Sequence, residues 1–219
     1  MKSSEIHGVF KERNRLFTEN PDLCKGLKTY NEKLVDYKGK QFRSWNPYRS
    51  KLAAAILKEI KINIKPDSKF LYLGAATGTT VSHISDIVKE GFVFSVENSP
   101  VAVKKLIENC EKRQNVIPIF EDANHPDRYG SIVPVVDFVY QDISQRNQAD
   151  IFIQNISRYL RKKGEGILMV KARSIDVSLK PSKVYDFVCS QLESNELTIV
   201  NMTDLKPYEK DHAAIVISN

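Results

Sequence analysis

A chain of 219 residues with a formal charge of +6 has room for one core of ordinary size and a small appendage, but not for two full domains. With 42% hydrophobic and 27% charged residues its composition is that of folded proteins, which excludes a disordered or fibrous chain. No apolar run approaches the roughly 18 residues that cross a bilayer. The first fifteen residues carry Lys2, Glu5, Lys11, Glu12 and Arg13 where a signal peptide would be apolar. The expectation is a cytoplasmic protein without a membrane partner. Cys24, Cys110 and Cys189 are odd in number and form no CxxC, so neither a disulfide framework nor a metal site is expected. An excess of 33 Lys and Arg over 27 Asp and Glu favours a polyanionic partner.

Taken in chain order, residues 1–44 break into short apolar pieces, Ile6 to Phe10, Leu27 to Tyr30 and Leu34 to Tyr37, punctuated by Asn20-Pro21, Gly26 and Gly39. That punctuation predicts a small β-rich N-terminal domain. From residue 45 to 219 a second domain is expected. Asn46 with Pro47 behind it predicts the start of a helix carrying Tyr48, Leu52, Ala55, Ile56 and Ile60 at helical spacing. After Lys65-Pro66-Asp67 come strands at Phe70 to Leu73, Phe92 to Val96, Val116 to Phe120, Val135 to Tyr140 and Gly166 to Lys171. Between them lie helices at Thr79 to Glu90, Pro100 to Lys112 and Gln148 to Arg161, and a helix at Ser182 to Ser194 precedes strands at Leu197 to Met202 and Ala213 to Ser218. This alternation predicts an α/β fold with a doubly wound, Rossmann-like, largely parallel sheet and an antiparallel edge hairpin. Ligands of such a sheet sit at the carboxyl ends of its strands.

Directly after the first of these strands stands Leu73-Gly74-Ala75-Ala76-Thr77-Gly78-Thr79-Thr80, whose small residues let the backbone approach a ligand and aim helix N–H groups at it. Glu97 ends the next strand, where a carboxylate can accept both hydroxyls of an adenosine ribose. The third strand ends in Glu121-Asp122-Ala123, an acid able to accept the adenine amine beside a residue small enough to admit the ring. Neither G-x-G-x-x-G nor G-x-x-x-x-G-K-[ST] is matched, which disfavours hydride and phosphoryl transfer. S-Adenosylmethionine fits this series of turn, ribose acid and adenine acid.

The fourth strand runs into Gln141-Asp142-Ile143-Ser144-Gln145 and the fifth into Lys171-Ala172-Arg173. Adjacent strand ends share one crevice, so Asp142 and Lys171 are expected to lie together, either as a structural ion pair or as chemistry. Lys51 on the first helix and His212 before the last strand are the other polar candidates. Arg43, Arg49, Arg173, Lys206 and Lys210 flank the same rim, each either a solvated charge or a group to hold the phosphates of a polyanionic partner.

Five ordered segments together resemble the fibrillarin family: Trp45-Asn46-Pro47-Tyr48-Arg49-Ser50-Lys51, the glycine turn through His83, Gln141 to Gln145, Lys171 to Asp176, and Pro207 to His212. The likeness spans residues 45–219, and the short N-terminal piece is similar to that of archaeal members. The resemblance implies a class I methyltransferase fold and 2′-O-methylation of ribose in rRNA and tRNA, with S-adenosyl-L-methionine as the donor. It implies Lys51, Asp142, Lys171 and His212 as the catalytic set, with Lys171 as base or oxyanion stabiliser and Asp142 as its orienter. For the cofactor it implies Gly74, Thr79 and Thr80 at the methionine end, Glu97 and Asn98 at the ribose, Asp122 and Ala123 at the adenine, and Asp142, Ile143, Ser144 and Gln145 near the sulfonium. It further implies a box C/D guide RNA and its target RNA, a Nop-type scaffold protein, and indirectly a kink-turn-binding ribosomal-protein-like subunit. Two alternatives stand beside this reading: a stand-alone ribose methyltransferase, and a nucleoside-binding assembly subunit without catalysis.

Overall fold

The computed structural model describes all residues, 1–219. Five short strands open the chain: β1 (Lys2–Ser3), β2 (Val9–Glu12), β3 (Arg15–Glu19), β4 (Leu34–Tyr37) and β5 (Lys40–Trp45). They form one antiparallel sheet in the order β1-β2-β3-β5-β4. Leu27 to Tyr30, expected as a strand piece, is irregular and bends at Thr29 and Tyr30, because Glu32 turns back to accept hydrogen bonds from the Thr29 and Tyr30 N–H groups.

The remaining elements are α1 (Lys51–Leu57), β6 (Lys69–Leu73), α2 (Thr79–Ile87), β7 (Phe92–Glu97), α3 (Pro100–Cys110), β8 (Val116–Phe120), β9 (Val136–Gln141), α4 (Gln148–Tyr159), β10 (Leu160–Lys171), α5 (Ala172–Ile175), α6 (Pro181–Ser194), β11 (Thr198–Asp204) and β12 (His212–Ser218). Their strands order as β11-β12-β10-β9-β6-β7-β8. Strands β6 to β10 are mutually parallel, and β12 runs antiparallel between β10 and β11. From β6 the order proceeds to β7 and β8 on one side and to β9 and β10 on the other. A crevice therefore opens at the carboxyl ends of β6 and β9, where crossovers diverge to opposite faces.

Alternate residues of each central strand supply two separate cores, as the two-residue period of a pleated strand requires. Phe70, Tyr72, Phe138, Tyr140, Ile167 and Met169 face α1, α2 and the N-terminal sheet, whose Val9, Leu16 and Trp45 join the same core. Leu71, Leu73, Val139, Leu168 and Val170 face α4 and α6 on the other side. The helix expected to be capped by Asn46 begins four residues later. Asn46 holds a turn instead, its carbonyl accepting from Arg49 N–H and its Oδ1 from Tyr48 N–H. Ser50 is the cap of α1, its hydroxyl accepting from Ala53 N–H.

Candidate active site

Gly74 adopts φ +80° where β6 ends, and a Cβ there would stand 2.6 Å from the Asp142 carbonyl oxygen and 2.9 Å from Ile143 Cγ1. The ends of β6 and β9 therefore approach as closely as they do only because residue 74 is glycine. Gly78, at φ +87°, precedes α2 and leaves its first N–H groups without a side-chain cap. Gly74, Val96, Glu97, Asn98, Glu121, Asp122, Ala123, Ile143 and Gln145 line one cleft across the ends of β6, β7, β8 and β9. Seven of these were expected from the sequence. Ser144 follows in the same loop, while Thr79 and Thr80 open α2 beside the turn.

The polar atoms of this cleft suit an adenosine. Glu97 Oε2 accepts from Ala76 N–H at 2.8 Å and Oε1 from Ser99 N–H at 2.9 Å, which fixes the carboxylate while a second lone pair on each oxygen stays available for a ribose hydroxyl. Asp122 Oδ1 accepts both the backbone N–H and the side-chain amide of Asn124, at 2.9 and 2.8 Å. The backbone bond, with the amide adding to it, holds the Asp122 carboxyl below the usual carboxylate range, so it is an acceptor at neutral pH. The same Asn124 amide donates to Gln145 Oε1 at 3.0 Å and ties Asp122 to the loop after β9. Asn124 carries no motif and was not expected as a site residue. The Thr80 hydroxyl turns away from the cleft and donates to Ser50 Oγ at 3.0 Å, so Thr80 offers a ligand its backbone.

That inward bond has a second consequence, because Ser50 caps the helix whose first residue is Lys51. Lys51 Nζ reaches the Asp142 carboxylate at 2.8 and 3.1 Å, joining α1 to the end of β9 across 91 residues of sequence. The glycine turn, the helix cap and this ion pair are thus linked through hydroxyls. Asp142 was expected to orient Lys171; its partner is Lys51. The correction follows from sheet geometry. β9 pairs with β10 only as far as Gln141 opposite Leu168, and the two chains separate beyond that point. Gln148, wholly buried, fills the gap: Lys171 N–H donates to its Oε1 at 2.9 Å, and its amide donates to the carbonyls of Gln145 and Lys171. No sequence signal distinguished Gln148 from any other residue opening a helix.

On its other edge Lys171 pairs directly with His212, the first residue of β12. His212 is buried, and its Nδ1–H donates to the Lys210 carbonyl at 2.7 Å, which leaves Nε2 as an acceptor. Burial lowers the His212 pKa below its ordinary value and the Lys51 cation adds to this, outweighing the Lys210 carbonyl, Glu209 and Asp142. At neutral pH His212 is uncharged. It cannot clamp a phosphate as a cation, and instead offers a lone pair to a hydroxyl.

The expected phosphate-facing rim divides. Arg49, Lys206 and Lys210 are exposed, and Arg173 is exposed while donating to Asp211 Oδ2 and the Val177 carbonyl. Arg43 does not belong to the rim, because it is wholly buried between Glu32 and Asp86. A roomier cleft of about 590 Å³ between α4 and α6, lined in part by Ile175, Leu179, Val184 and Phe187, contains none of the four candidate catalytic residues. Chemistry rather than volume selects the site.

The family described as Fibrillarin matches residues 1–219. A "Fibrillarin-like rRNA/tRNA 2'-O-methyltransferase" of Methanothermobacter thermautotrophicus is 44% identical over 213 residues, covering 97% of this chain and 94% of that protein. The crystal structure of a fibrillarin/Nop5p complex is similar with a TM-score of 0.90 at 42% identity, covering 98% of this chain and 99% of that one. That of Aeropyrum pernix fibrillarin with natively bound S-adenosyl-L-methionine has a TM-score of 0.87 at 38% identity, over 99% and 96% of the two chains. With likeness running the full length, and the glycine turn, Glu97 and the Lys51–Asp142 pair meeting at the strand ends, the chain belongs to the fibrillarin family.

Proposed function

We propose that this chain transfers a methyl group from S-adenosyl-L-methionine to the ribose 2′-hydroxyl of rRNA and tRNA, as the catalytic subunit of a box C/D ribonucleoprotein in the cytoplasm of an archaeal cell. The observation that carries the reading is the Lys51–Asp142 ion pair at the end of β9, beside the Lys171–His212 pair of β10 and β12. The bound cofactor supplies a methyl carbon activated by its sulfonium. Gly74 and the N–H groups opening α2 would hold its methionine end, Glu97 and Asn98 its ribose, and Asp122 and Ala123 its adenine. Asp142 to Gln145 lie nearest the sulfonium in this reading.

The reaction forms an O–C bond as the C–S bond breaks, and the 2′-hydroxyl proton must leave. Holding the hydroxyl in line with the methyl carbon supplies much of the acceleration. Lys171 is assigned to orient the hydroxyl and to take its proton or stabilise the developing oxyanion. His212 Nε2 accepts from the ribose, and Lys51 holds Asp142 in place. The residues 1–44 are assigned to a small N-terminal domain that braces α2, and residues 45–219 to the methyltransferase domain.

Glu97→Ala tests the cofactor assignment. Calorimetry is expected to show saturable binding of S-adenosylmethionine and S-adenosylhomocysteine but not NAD, and the variant is expected to lose about 1.5–3 kcal/mol of that binding, as for a charged hydrogen bond. Unchanged affinity would remove Glu97 from the site.

Archaeal relatives, and a solved complex of a relative with Nop5p, support a Nop-type scaffold partner. Target choice is assigned to base pairing with a box C/D guide RNA, with a kink-turn-binding ribosomal-protein-like subunit holding the guide. Methyl transfer to a defined RNA is to be measured with the chain alone and with guide and scaffold added. Weak, unselective transfer alone and fast, single-site transfer in the assembly are expected. Efficient, sequence-specific transfer by the isolated chain would establish a stand-alone enzyme instead.

A further inference from the structure

Tyr48 is 63% exposed, which is unusual for a large ring held on an ordered turn. Its turn is fixed by Asn46, and its ring meets that of Tyr208 edge to face, with centroids 5.3 Å apart. Tyr208 is the better buried of the two, packed against the core that faces α1, and its own turn is pinned through Leu205. Leu205 in turn donates its N–H to the His212 carbonyl. The pair thus spans the two segments that deliver Lys51, three residues after Tyr48, and His212, four residues after Tyr208. Exposed Arg49, Lys206 and Lys210 lie on these same segments.

A rigid exposed aromatic ring backed by a second ring, on segments that also carry exposed cations, is the chemistry that receives a nucleobase beside a phosphate backbone. We propose that Tyr48, backed by Tyr208, is a stacking subsite for a nucleobase of the substrate RNA strand, at or next to the nucleotide whose ribose enters the Lys51–His212 crevice. Stacking on a ring face accepts any base. The subsite therefore positions the strand without reading its sequence, and so fits an enzyme whose target is chosen by pairing. The inference rests on the RNA-directed reading above and adds to it the group that holds the base.

The test uses the assembled complex and substrate RNAs carrying 2-aminopurine at the target position or at either neighbour. Wild-type protein is expected to quench one of these probes on binding. Tyr48→Ala is expected to lose the quench and to raise the RNA concentration for half-maximal transfer by about 5- to 140-fold, the range for losing one stacked base. Tyr48→Phe, which keeps the ring, is expected to recover most of that loss. S-Adenosylhomocysteine affinity should not change in either variant. Quenching and half-saturation that survive Tyr48→Ala would overturn the subsite, as would a loss that calorimetry traces to scaffold affinity, which marks a protein contact. Failure of the wild-type complex to methylate RNA at all would instead overturn the function reading, and the quench would still decide whether a base stacks there.

Discussion

Lys171→Ala is expected to slow single-turnover methyl transfer in the assembled complex by about 10²–10⁴-fold, the usual contribution of a positioned acid–base group. Thermal stability and S-adenosylmethionine affinity should change little. The structure gives the reason: Asp142 is paired with Lys51, and what holds residue 171 in place is its backbone, bonded to Gln148 and to β12. Removing the side chain therefore orphans no buried carboxylate. Lys51→Ala is the contrasting variant, because it strips Asp142 of its cation. Lys171→Arg separates charge from proton transfer, since a guanidinium keeps its proton. Retained rate in Lys171→Arg marks an electrostatic role, and a loss like that of alanine marks a base. A Lys171→Ala protein that melts early yet transfers methyl at the parental rate per folded molecule would sink the catalytic assignment.

The largest effect on stability is expected from Arg43. Its guanidinium donates to Glu32 Oε1 at 2.7 and 2.9 Å, to Asp86 Oδ2 at 2.8 Å and to Ser82 Oγ at 2.9 Å, with all of these partners buried. Arg113 also pairs with Asp86, so two guanidinium groups face two carboxylates. Burial alone would lower the Arg43 pKa, but Asp86 and Glu32 more than reverse that and raise it. Arg43→Met leaves Glu32 without a cation and is expected to cost about 3–5 kcal/mol, measured by urea denaturation. Because Thr18 of β3 and Arg43 of β5 both donate to Asp86 of α2, the helix that opens at the glycine turn, S-adenosylhomocysteine affinity is expected to fall with it. A loss of under about 1 kcal/mol would show that the network contributes specificity rather than stability.

His83 makes the same network sensitive to acid. It is wholly buried, stacks on Trp45 at 4.8 Å, and lies between Thr18 Oγ1 at 2.7 Å and the Tyr30 hydroxyl at 2.8 Å. Burial first, then the Arg43 and Arg113 cations, press its pKa well below 6.5. The unfolded chain takes up this proton as pH falls through about 6.5 while the native chain does not. Stability from His83 is therefore present above that pH and lost as pH falls toward the native value. A denaturation series from neutral to mildly acidic pH should show that slope, and His83→Gln should flatten it.

By itself the sequence determined the α/β class, the position of nearly every strand and helix of the main sheet, and the crevice to which the glycine turn, Glu97, Asp122 and Asp142 belong. Local rules suffice there: buried parallel strands read as short apolar runs, helices as a 3.6-residue period, and ligands of such a sheet gather at strand ends. Even the shift of the first helix from Asn46 to Ser50 is a local ambiguity, since both residues are good caps. Tertiary structure alone decided which charges meet. Arg43 reads in the sequence as one more surface cation, and only the folding of the N-terminal sheet onto α2 encloses it between Glu32 and Asp86. Asp142 and Lys171 stand at neighbouring strand ends, yet the splay of β9 from β10 beyond Gln141 inserts Gln148 beside Lys171 and delivers Asp142 to Lys51. An ion pair forms over a few ångströms in directions set by the backbone, and a contact between residues 91 positions apart leaves no periodicity in the sequence to announce it.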